Sequence, residues 1–314
     1  MTTVVSSPIK IAPLSGEKAY TLFNRIYEPA DGRILGSMLI IHGMQEHSGR
    51  YEELAQYLAG RGVAVLTYDQ LGHGKTAGDR NALGYFQARR PVQQLISDAA
   101  TMSKLLKSRY VNRPHFILGH SMGSFVARCV LQEAGDHFQG AIIVGTGQRP
   151  KGAVLLRGLL ALLNILAPQK RSRIINRLFS MRNNARFTYE PPQNGSNWLS
   201  ANTENRLRFL KDPLCGGLFT NNGFFTVLSL TLRATDPDNT AKVPGNLPIL
   251  FISGQDDPIG DFGAGVEQTA NQLRSQGLTD LTVNLYKGMR HEILNEDCKQ
   301  EIFETIHQWI TQHL

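Results

Sequence analysis

The stretch Gly119-His120-Ser121-Met122-Gly123 decides the fold of this chain, because it joins a β-rich run to a helical one. The apolar run His115–Leu118 precedes it, and Phe125, Val126 and Val130 follow it at helical spacing. A Gly-x-Ser-x-Gly turn between a strand and a helix holds its serine at the tip of a tight, strained bend, and its glycines let neighbouring elements come close. The sequence therefore predicts that Ser121 is a nucleophile.

A serine nucleophile needs a histidine base, and the histidine needs a carboxylate that fixes its tautomer. One apolar run ends at Ile252 in a turn that carries Asp256, Asp257 and Asp261, and another ends shortly before His291. Open α/β sheets build their sites beyond the carboxyl ends of such strands. The chain order of nucleophile, acid and base is typical of α/β-hydrolases. The spacing alone leaves open which aspartate acts.

Acyl transfer also requires backbone N–H donors for the negative charge that develops on the carbonyl oxygen. One donor is expected on the residue after the nucleophile, which is Met122. The other is expected in a loop after an earlier strand, and the run Ser37–Ile41 is followed by His42-Gly43-Met44. The glycine allows the backbone to turn its next amide inward, so we expect Met44 to supply the second donor.

The ten residues His42–Tyr51, HGMQEHSGRY, resemble the HGxxEHSGRY signature of monoacylglycerol lipases and their bacterial lysophospholipase relatives. Tyr68–Thr76 is similar to the D-x-x-G-H-G-x-S/T stretch of that family. The similarity runs from about Ile40 to the C-terminus and weakens through the middle, with three further motifs in family order: Gly119–Gly123, Gly254–Pro258 and Tyr286–His291.

The resemblance implies an α/β-hydrolase fold, which is a mostly parallel central sheet flanked by helices, with a helical cap insertion. It implies the triad Ser121, Asp257 and His291, because the family's acid stands three residues after the glycine of its Gly-x-x-Asp turn. It also implies that Met44 and Met122 supply the oxyanion N–H groups and that the residues from Glu46 to Arg50 order the oxyanion loop. The implied function is a serine ester hydrolase that cleaves a monoacylglycerol or a lysophospholipid through an acyl-enzyme.

The pattern of the chain predicts three segments. Strands alternate with helical stretches in residues 1–147 and again in 239–314, which indicates a hydrolase core in two parts. Residues 148–238 read as helices and loops, with Pro191-Pro192 in their middle, and are predicted to form a cap over Ser121. Residues 8–13 and 18–27 are predicted to pair antiparallel at a sheet edge.

Two stretches of the cap are unusual in composition. Ala153–Leu166 is apolar almost all round but shorter than the roughly 20 residues that cross a bilayer. It is either buried against the core or turned toward lipid as a lid. Residues 170–179 form a basic amphipathic pattern, and with a net charge of +7 they fit docking on anionic lipid surfaces, the alternative being an ordinary solvated face.

Other classes are disfavoured. Gly74-Lys75-Thr76 lacks the earlier P-loop glycine, because Asp69 stands there, and Asn295 replaces the second histidine of a zinc-protease motif at His291. No cluster of cysteines or carboxylates stands at metal spacing beside His42 and His47, so neither metal nor cofactor is expected. The basic residues match no nucleic-acid-binding module.

Three scattered cysteines and an N-terminus without a signal-peptide pattern favour a cytoplasmic protein.

Three alternative functions remain: a general carboxylesterase, a serine peptidase and a non-catalytic binding protein with a hydrolase fold. A peptidase that removes N-terminal residues needs an anionic group in the cap to hold the α-amine, whereas this cap is basic and apolar. A binding protein usually lacks a triad member, whereas all three residue types are present here. The sequence leaves the head group, the acyl-chain length and the oligomeric state open.

Overall fold

The structure is a computed structural model and describes residues 2–14, 16–87, 89–190 and 195–314. Its main sheet has the strand order β1-β4-β6-β5-β7-β8-β9-β10, and β2 and β3 form a second sheet. The strands are β1 (Thr2–Val5), β2 (Ile9–Ile11), β3 (Tyr20–Leu22), β4 (Asn24–Pro29), β5 (Gly36–Ile41), β6 (Val63–Tyr68), β7 (His115–His120), β8 (Gly140–Val144), β9 (Ile249–Gly254) and β10 (Leu281–Tyr286). Along the sheet, β6, β5, β7, β8, β9 and β10 are parallel to one another. Strand β4 pairs antiparallel with β6, and β1 pairs antiparallel with β4.

Helices cover both faces of the main sheet. They are α1 (Glu52–Ala59), α2 (Pro91–Arg109), α3 (Met122–Ala134), α4 (Ala153–Leu166), α5 (Arg173–Asn184), α6 (Thr203–Lys211), α7 (Asn221–Ala234), α8 (Pro237–Thr240), α9 (Ala264–Ser275) and α10 (Lys299–Gln312). Helices α1 and α10 contribute to one hydrophobic cluster, and α2, α3, α7 and α9 contribute to the other. The predicted mostly parallel sheet flanked by helices is confirmed.

The central strands read as continuous apolar runs because both of their faces are buried. In β5, Leu39 and Ile41 point into one cluster, while Met38 and Ile40 point into the other. This two-sided core fixes the register of the parallel strands, so their carboxyl ends meet along one edge of the sheet. The loops that follow β5, β7, β9 and β10 therefore lie close together, and they carry the predicted site residues.

The predicted antiparallel pair near the N-terminus was assigned to the wrong sheet. Strands β2 and β3 do pair antiparallel, but they form a separate ribbon, and β1 with β4 makes the edge of the main sheet. The ribbon is held on α2, where Tyr20 donates to the Asp98 carboxylate (2.6 Å) and the Leu14 amide donates to Gln94 (2.8 Å). Burial raises the pKa of Asp98 to about 6. The buried carboxyl group needs these donors, and local strand patterns contain no signal for such a tertiary contact.

The expectation that α4 could be buried against the core is wrong. Only Ala153 and Leu160 of this helix are buried, whereas Leu155 is 83% and Ile165 77% exposed. In α5 the predicted apolar face is divided, since Phe179 packs on the core while Ile174 is 72% exposed.

The described part of the chain contains no helix that is both long and apolar enough to cross a bilayer. Pro191-Pro192 lies outside the described residues.

Candidate active site

The turn between β7 and α3 places Ser121 in a strained conformation. Its φ of 54° and ψ of −121° lie outside the regions that non-glycine residues normally occupy. The flanking glycines allow this geometry, because a Cβ on Gly119 would lie 2.3 Å from the Gly123 carbonyl oxygen and a Cβ on Gly123 would lie 2.2 Å from the Ile41 carbonyl oxygen. The close approach of α3 to β5 and β7 thus explains both glycines of the Gly-x-Ser-x-Gly stretch.

Ser121, His291 and Asp257 form one hydrogen-bonded chain. His291 Nε2 lies 2.8 Å from Ser121 Oγ, and His291 Nδ1 lies 2.9 Å from Asp257 Oδ2. All three residues are buried. An ionised carboxylate only accepts hydrogen bonds, so Nδ1 carries the proton and Nε2 is free to accept from the serine hydroxyl. The arrangement can activate the serine as a nucleophile, and the catalytic roles of these residues stay predictions.

Among the three aspartates of the loop after β9, the structure brings Asp257 to His291. Asp257 is completely buried, and its Oδ1 also accepts the Ile259 N–H at 2.8 Å. Asp256 is half-buried and Asp261 is exposed. Gly254 lets this loop approach the histidine loop, because a Cβ there would lie 2.2 Å from the Met289 carbonyl oxygen.

The predicted oxyanion donors lie on either side of Ser121. Met122 is the first residue of α3, where helix geometry leaves its N–H without an intrahelical partner. Met44 lies in the loop after β5 and lines the same cavity as Ser121. Within the described ranges, neither backbone amide donates to another protein group. Gly43 lies directly against the nucleophile, since a Cβ there would be 3.0 Å from the Ser121 Cβ.

Glu46 holds the loop that carries Met44. Its Oε1 accepts the Gly43 N–H (2.6 Å) and the Tyr51 hydroxyl (2.7 Å), and its Oε2 accepts Arg50 (3.0 Å). Burial opposes the charge of Glu46, but the hydrogen bond from His120 and the charge of Arg50 outweigh it and hold the pKa of this carboxyl well below its usual range. Glu46 therefore orders the loop, as the resemblance implied.

His120 connects this loop to His291. Its Nδ1 lies 3.2 Å from the Glu46 carboxylate, and its Nε2 lies 3.0 Å from the His291 backbone oxygen. Burial would lower the pKa of His120, but the hydrogen bond and charge of Glu46 raise it above the ordinary value. The sequence did not predict a role for His120, which occupies a variable position of the Gly-x-Ser-x-Gly turn. Its place directly before Ser121 was the one signal that it could lie in the site.

The second motif of the family, residues 68–76, forms hydrogen bonds to the loop that follows β5. Asp69 accepts the Ser48 hydroxyl (2.6 Å) and the Lys75 amide (2.7 Å). His73 accepts the Gln45 N–H at 3.3 Å through Nε2, and burial lowers the pKa of His73 to about 3. A neutral histidine is needed here because its ring must accept a hydrogen bond.

Trp198 is a site residue that sequence reasoning missed. Its ring lies 4.9 Å from the His291 ring at an interplanar angle of 33°. The segment around it is bonded to the histidine loop, because Glu292 donates its N–H to the Leu199 oxygen at 2.7 Å and Arg290 donates to the Asn197 oxygen at 2.7 Å. No local pattern indicated this contact, which joins residues from distant parts of the chain.

A cavity of about 330 Å³ lies above Ser121 and His291. Such a volume is typical of sites for small molecules. Its apolar walls are contributed mainly by residues between β8 and β9: Phe179, Trp198, Leu199, Phe209, Leu210 and Leu218. The rim carries Arg173 and Arg177 of α5.

Folding brings two potential metal ligands beside His47, which sequence spacing did not show. The ligand atoms of His47, Asp212 and Cys215 lie within 4.8 Å of one another. However, His47 Nδ1 already accepts the Gly49 N–H (3.2 Å), so Nε2 carries the proton and donates to Asp212 at 2.9 Å. A metal bond at Nε2 would displace this proton. We therefore interpret this group as a structural contact in which His47, in the loop after β5, holds Asp212, which directly follows α6.

The chain passes from β7 through the Ser121 turn into α3, and the loops after β9 and β10 bring Asp257 and His291 to that turn, which is the arrangement of the α/β-hydrolase class. Residues 32–298 match the Hydrolase_4 family, described as serine aminopeptidase S33. This match spans most of the chain, and the chain belongs to that family.

Relatives and solved structures agree with this assignment. The chain is 28% identical over 298 residues to the monoglyceride lipase of Homo sapiens, covering 93% of this chain and 87% of that protein. It is similar to the crystal structure of a thermostable carboxyl esterase from Bacillus coagulans in complex with glycerol, with a TM-score of 0.87, 27% identity and 99% coverage of both chains. It is also similar to a lipase in its open form, with a TM-score of 0.88, 26% identity, and coverage of 98% of this chain and 99% of the other.

Proposed function

We propose that this chain is a serine ester hydrolase that cleaves single-acyl lipids, a monoacylglycerol or a lysophospholipid. The observation that carries the proposal is the hydrogen-bonded chain from Ser121 through His291 to Asp257 at the floor of an apolar cavity. The similarity to a monoglyceride lipase and to a carboxyl esterase supports an ester as the substrate.

In the proposed reaction, His291 takes the proton of Ser121 as its oxygen attacks the ester carbonyl. The N–H groups of Met44 and Met122 stabilise the oxyanion, and each such donor is worth about 2.7–4 kcal/mol. His291 then gives its proton to the leaving alcohol, so that an acyl-enzyme and free glycerol or its phosphoryl derivative result. Water, deprotonated by His291, attacks the acyl-enzyme and releases the fatty acid.

The peptidase alternative receives no support from the cavity, despite the description of the family. An aminopeptidase needs a free carboxylate to bind the substrate's α-amine. The carboxylates among the described lining residues are Glu46 and Glu292, and both are bonded to Arg50 at 3.0 and 2.8 Å. The residues outside the described ranges carry no acidic side chain. An ester with an apolar acyl chain fits the walls better.

We expect fatty-acid release from monooleoylglycerol or lysophosphatidylcholine, measured side by side with Ser121→Ala as the blank. Release that is absent in the blank would support the ester hydrolase. Release from neither lipid, together with hydrolysis of an aminoacyl anilide, would favour the peptidase instead.

Residues 148–238 are proposed to act as a cap that shapes the acyl pocket. Helix α5, helix α6 and the segment around Trp198 supply most of the apolar walls of the cavity. The helix α4 lies at the outside of this segment, packed against α7. A cap of this kind excludes water from the acyl-enzyme until hydrolysis.

The exposed apolar face of α4 is proposed to dock on lipid surfaces. Apart from Ala153 and Leu160, its large apolar side chains are half-buried or exposed, and the nearby Arg157 and Lys170 are exposed cations. An apolar helix face with basic neighbours binds at the boundary between head groups and acyl chains of an anionic bilayer. Docking there would deliver a single-acyl lipid to the cavity without full transfer through water.

Leu155→Glu combined with Ile165→Glu should weaken binding to phosphatidylcholine vesicles that contain phosphatidylglycerol by more than about tenfold, since burying one leucine is worth about 1.5–3 kcal/mol. Vesicle cosedimentation measures the effect. The matched control is Val111→Glu, because Val111 is 67% exposed just before β7, at the opposite end of the strands from the site. Equal loss in the control, or no loss in the double variant, would contradict docking through α4.

A further inference from the structure

Two cations that line the cavity have no partner among the residues that the structure describes. Arg173 and Arg177 lie on α5, are exposed and line the cavity that holds Ser121 and His291. Among the described residues, no hydrogen bond or ion pair engages either guanidinium, and the undescribed residues carry no acidic side chain. Their charge is therefore available to a ligand in the cavity.

Other arginines near the site are committed to structure. Arg50 pairs with Glu46 and Glu292, Arg290 pairs with Glu190, and Arg171 donates to the backbone oxygens of Leu218 and Leu83. The guanidinium of Arg171 is therefore held by the protein backbone and is not assigned to ligand binding. The two arginines that face the cavity differ from the rest in having no such partner.

The cavity's own acids do not cancel this charge. Glu46 and Glu292 line the cavity, but the half-buried Arg50 donates hydrogen bonds to both of them. The rim consequently presents a net positive field to the solvent-facing end of a bound molecule.

The spacing of the two arginines suits one anionic group. Residues four apart on a helix lie side by side, with Cβ atoms about 5–6 Å apart. Guanidinium groups on two such neighbouring side chains can donate to different oxygens of one phosphate, which is the group that arginine recognises through several N–H donors at once. An acyl chain packed on the apolar lining residues Phe179, Trp198 and Phe209 would leave its polar head group for the exposed part of the lining, to which both arginines belong.

We propose that Arg173 and Arg177 form a binding site for the phosphate of a lipid head group, so that the enzyme favours lysophospholipids with a net negative head group over monoacylglycerols. This inference rests on the proposed ester hydrolysis and names the substrate class for the same site. The arginines act on binding of the head group and take no part in the proton transfers at Ser121.

The test compares octanoylglycerol with octanoyl-lysophosphatidylglycerol, both used below their critical micelle concentrations so that docking on lipid surfaces plays no part. Arg173→Gln combined with Arg177→Gln should lower kcat/KM for the phosphate-bearing ester by about tenfold, mainly through KM, because exposed charge-assisted contacts are partly screened. The value for octanoylglycerol should change less than about twofold. Arg173→Lys with Arg177→Lys should restore part of the loss.

The matched control is Arg182→Gln, because Arg182 is an exposed arginine on the same helix that does not line the cavity. Equal losses for both esters in the double variant, or an equal effect of Arg182→Gln, would overturn the head-group site while leaving ester hydrolysis intact. If inorganic phosphate inhibits the hydrolysis of both esters equally, the two arginines bind a free anion and not a lipid head group. That result would also overturn the head-group site. Turnover of neither ester by the unaltered protein would instead refute the proposed function.

Discussion

Replacing Ser121 by alanine should lower kcat for monooleoylglycerol by roughly 10⁶-fold, the loss typical of removing a triad nucleophile. His291 Nε2, 2.8 Å from the serine oxygen, would then have no hydroxyl to deprotonate, and no acyl-enzyme could form. Steady-state release of oleate and covalent labelling by a fluorophosphonate both measure the effect. We expect the label to be lost together with the activity.

Thermal unfolding separates this chemical loss from a loss of structure. Alanine needs the same positive φ as Ser121, so the substitution leaves the strain of the turn in place and should change Tm little. The matched control is Ser180→Ala, because Ser180 is a second serine in the lining of the same cavity. Ser180 donates to the Gly195 oxygen at 3.1 Å and has no histidine base. A Ser121→Ala protein that is still labelled or still active would refute the assignment of the nucleophile.

The core and the hydrogen-bonded residues could be predicted because each has a local signal. The glycines at 119 and 123 mark close backbone contacts, and the apolar runs β5, β7, β9 and β10 mark strands buried on both faces. Parallel strands place their following loops at one edge, so the chain order was enough to propose that Ser121, an aspartate of the loop after β9 and His291 meet. The family resemblance then implied Asp257. The geometry of the hydrogen bonds then selected Asp257 over Asp256 and Asp261.

The remaining features depend on where elements lie relative to one another. The apolar composition of α4 predicted a helix but could not tell whether a core or a lipid would cover it, since both environments favour the same side chains. The ring contact between Trp198 and His291 joins segments more than ninety residues apart, and no spacing rule predicts such a contact. That Arg173 and Arg177 have no partner among the described residues, whereas Arg171 and Arg50 do, likewise depends on the tertiary structure.

Asp257→Asn should lower kcat by about 10⁴-fold, whereas Asp256→Asn should change it less than about threefold. In the unaltered site, Asp257 accepts the Ile259 N–H through Oδ1 and the His291 Nδ1–H through Oδ2. An asparagine would keep its oxygen toward the Ile259 N–H and turn its NH₂ group toward His291. The imidazole would then have to accept at Nδ1 and carry its proton on Nε2, where it could no longer take the proton of Ser121.

The two asparagine variants distinguish which aspartate acts on His291, because they remove the same charge from adjacent positions of one loop. Asp256 is half-buried, and its backbone N–H, which donates to the Met289 oxygen at 2.9 Å, is retained in the variant. A wrong tautomer of His291 should lower kcat for octanoylglycerol and for octanoyl-lysophosphatidylglycerol in Asp257→Asn but not in Asp256→Asn. The KM and Tm of Asp257→Asn should stay nearly unchanged. The reverse result would place the acid at Asp256, and it would require the loop after β9 to rotate by one residue when substrate binds.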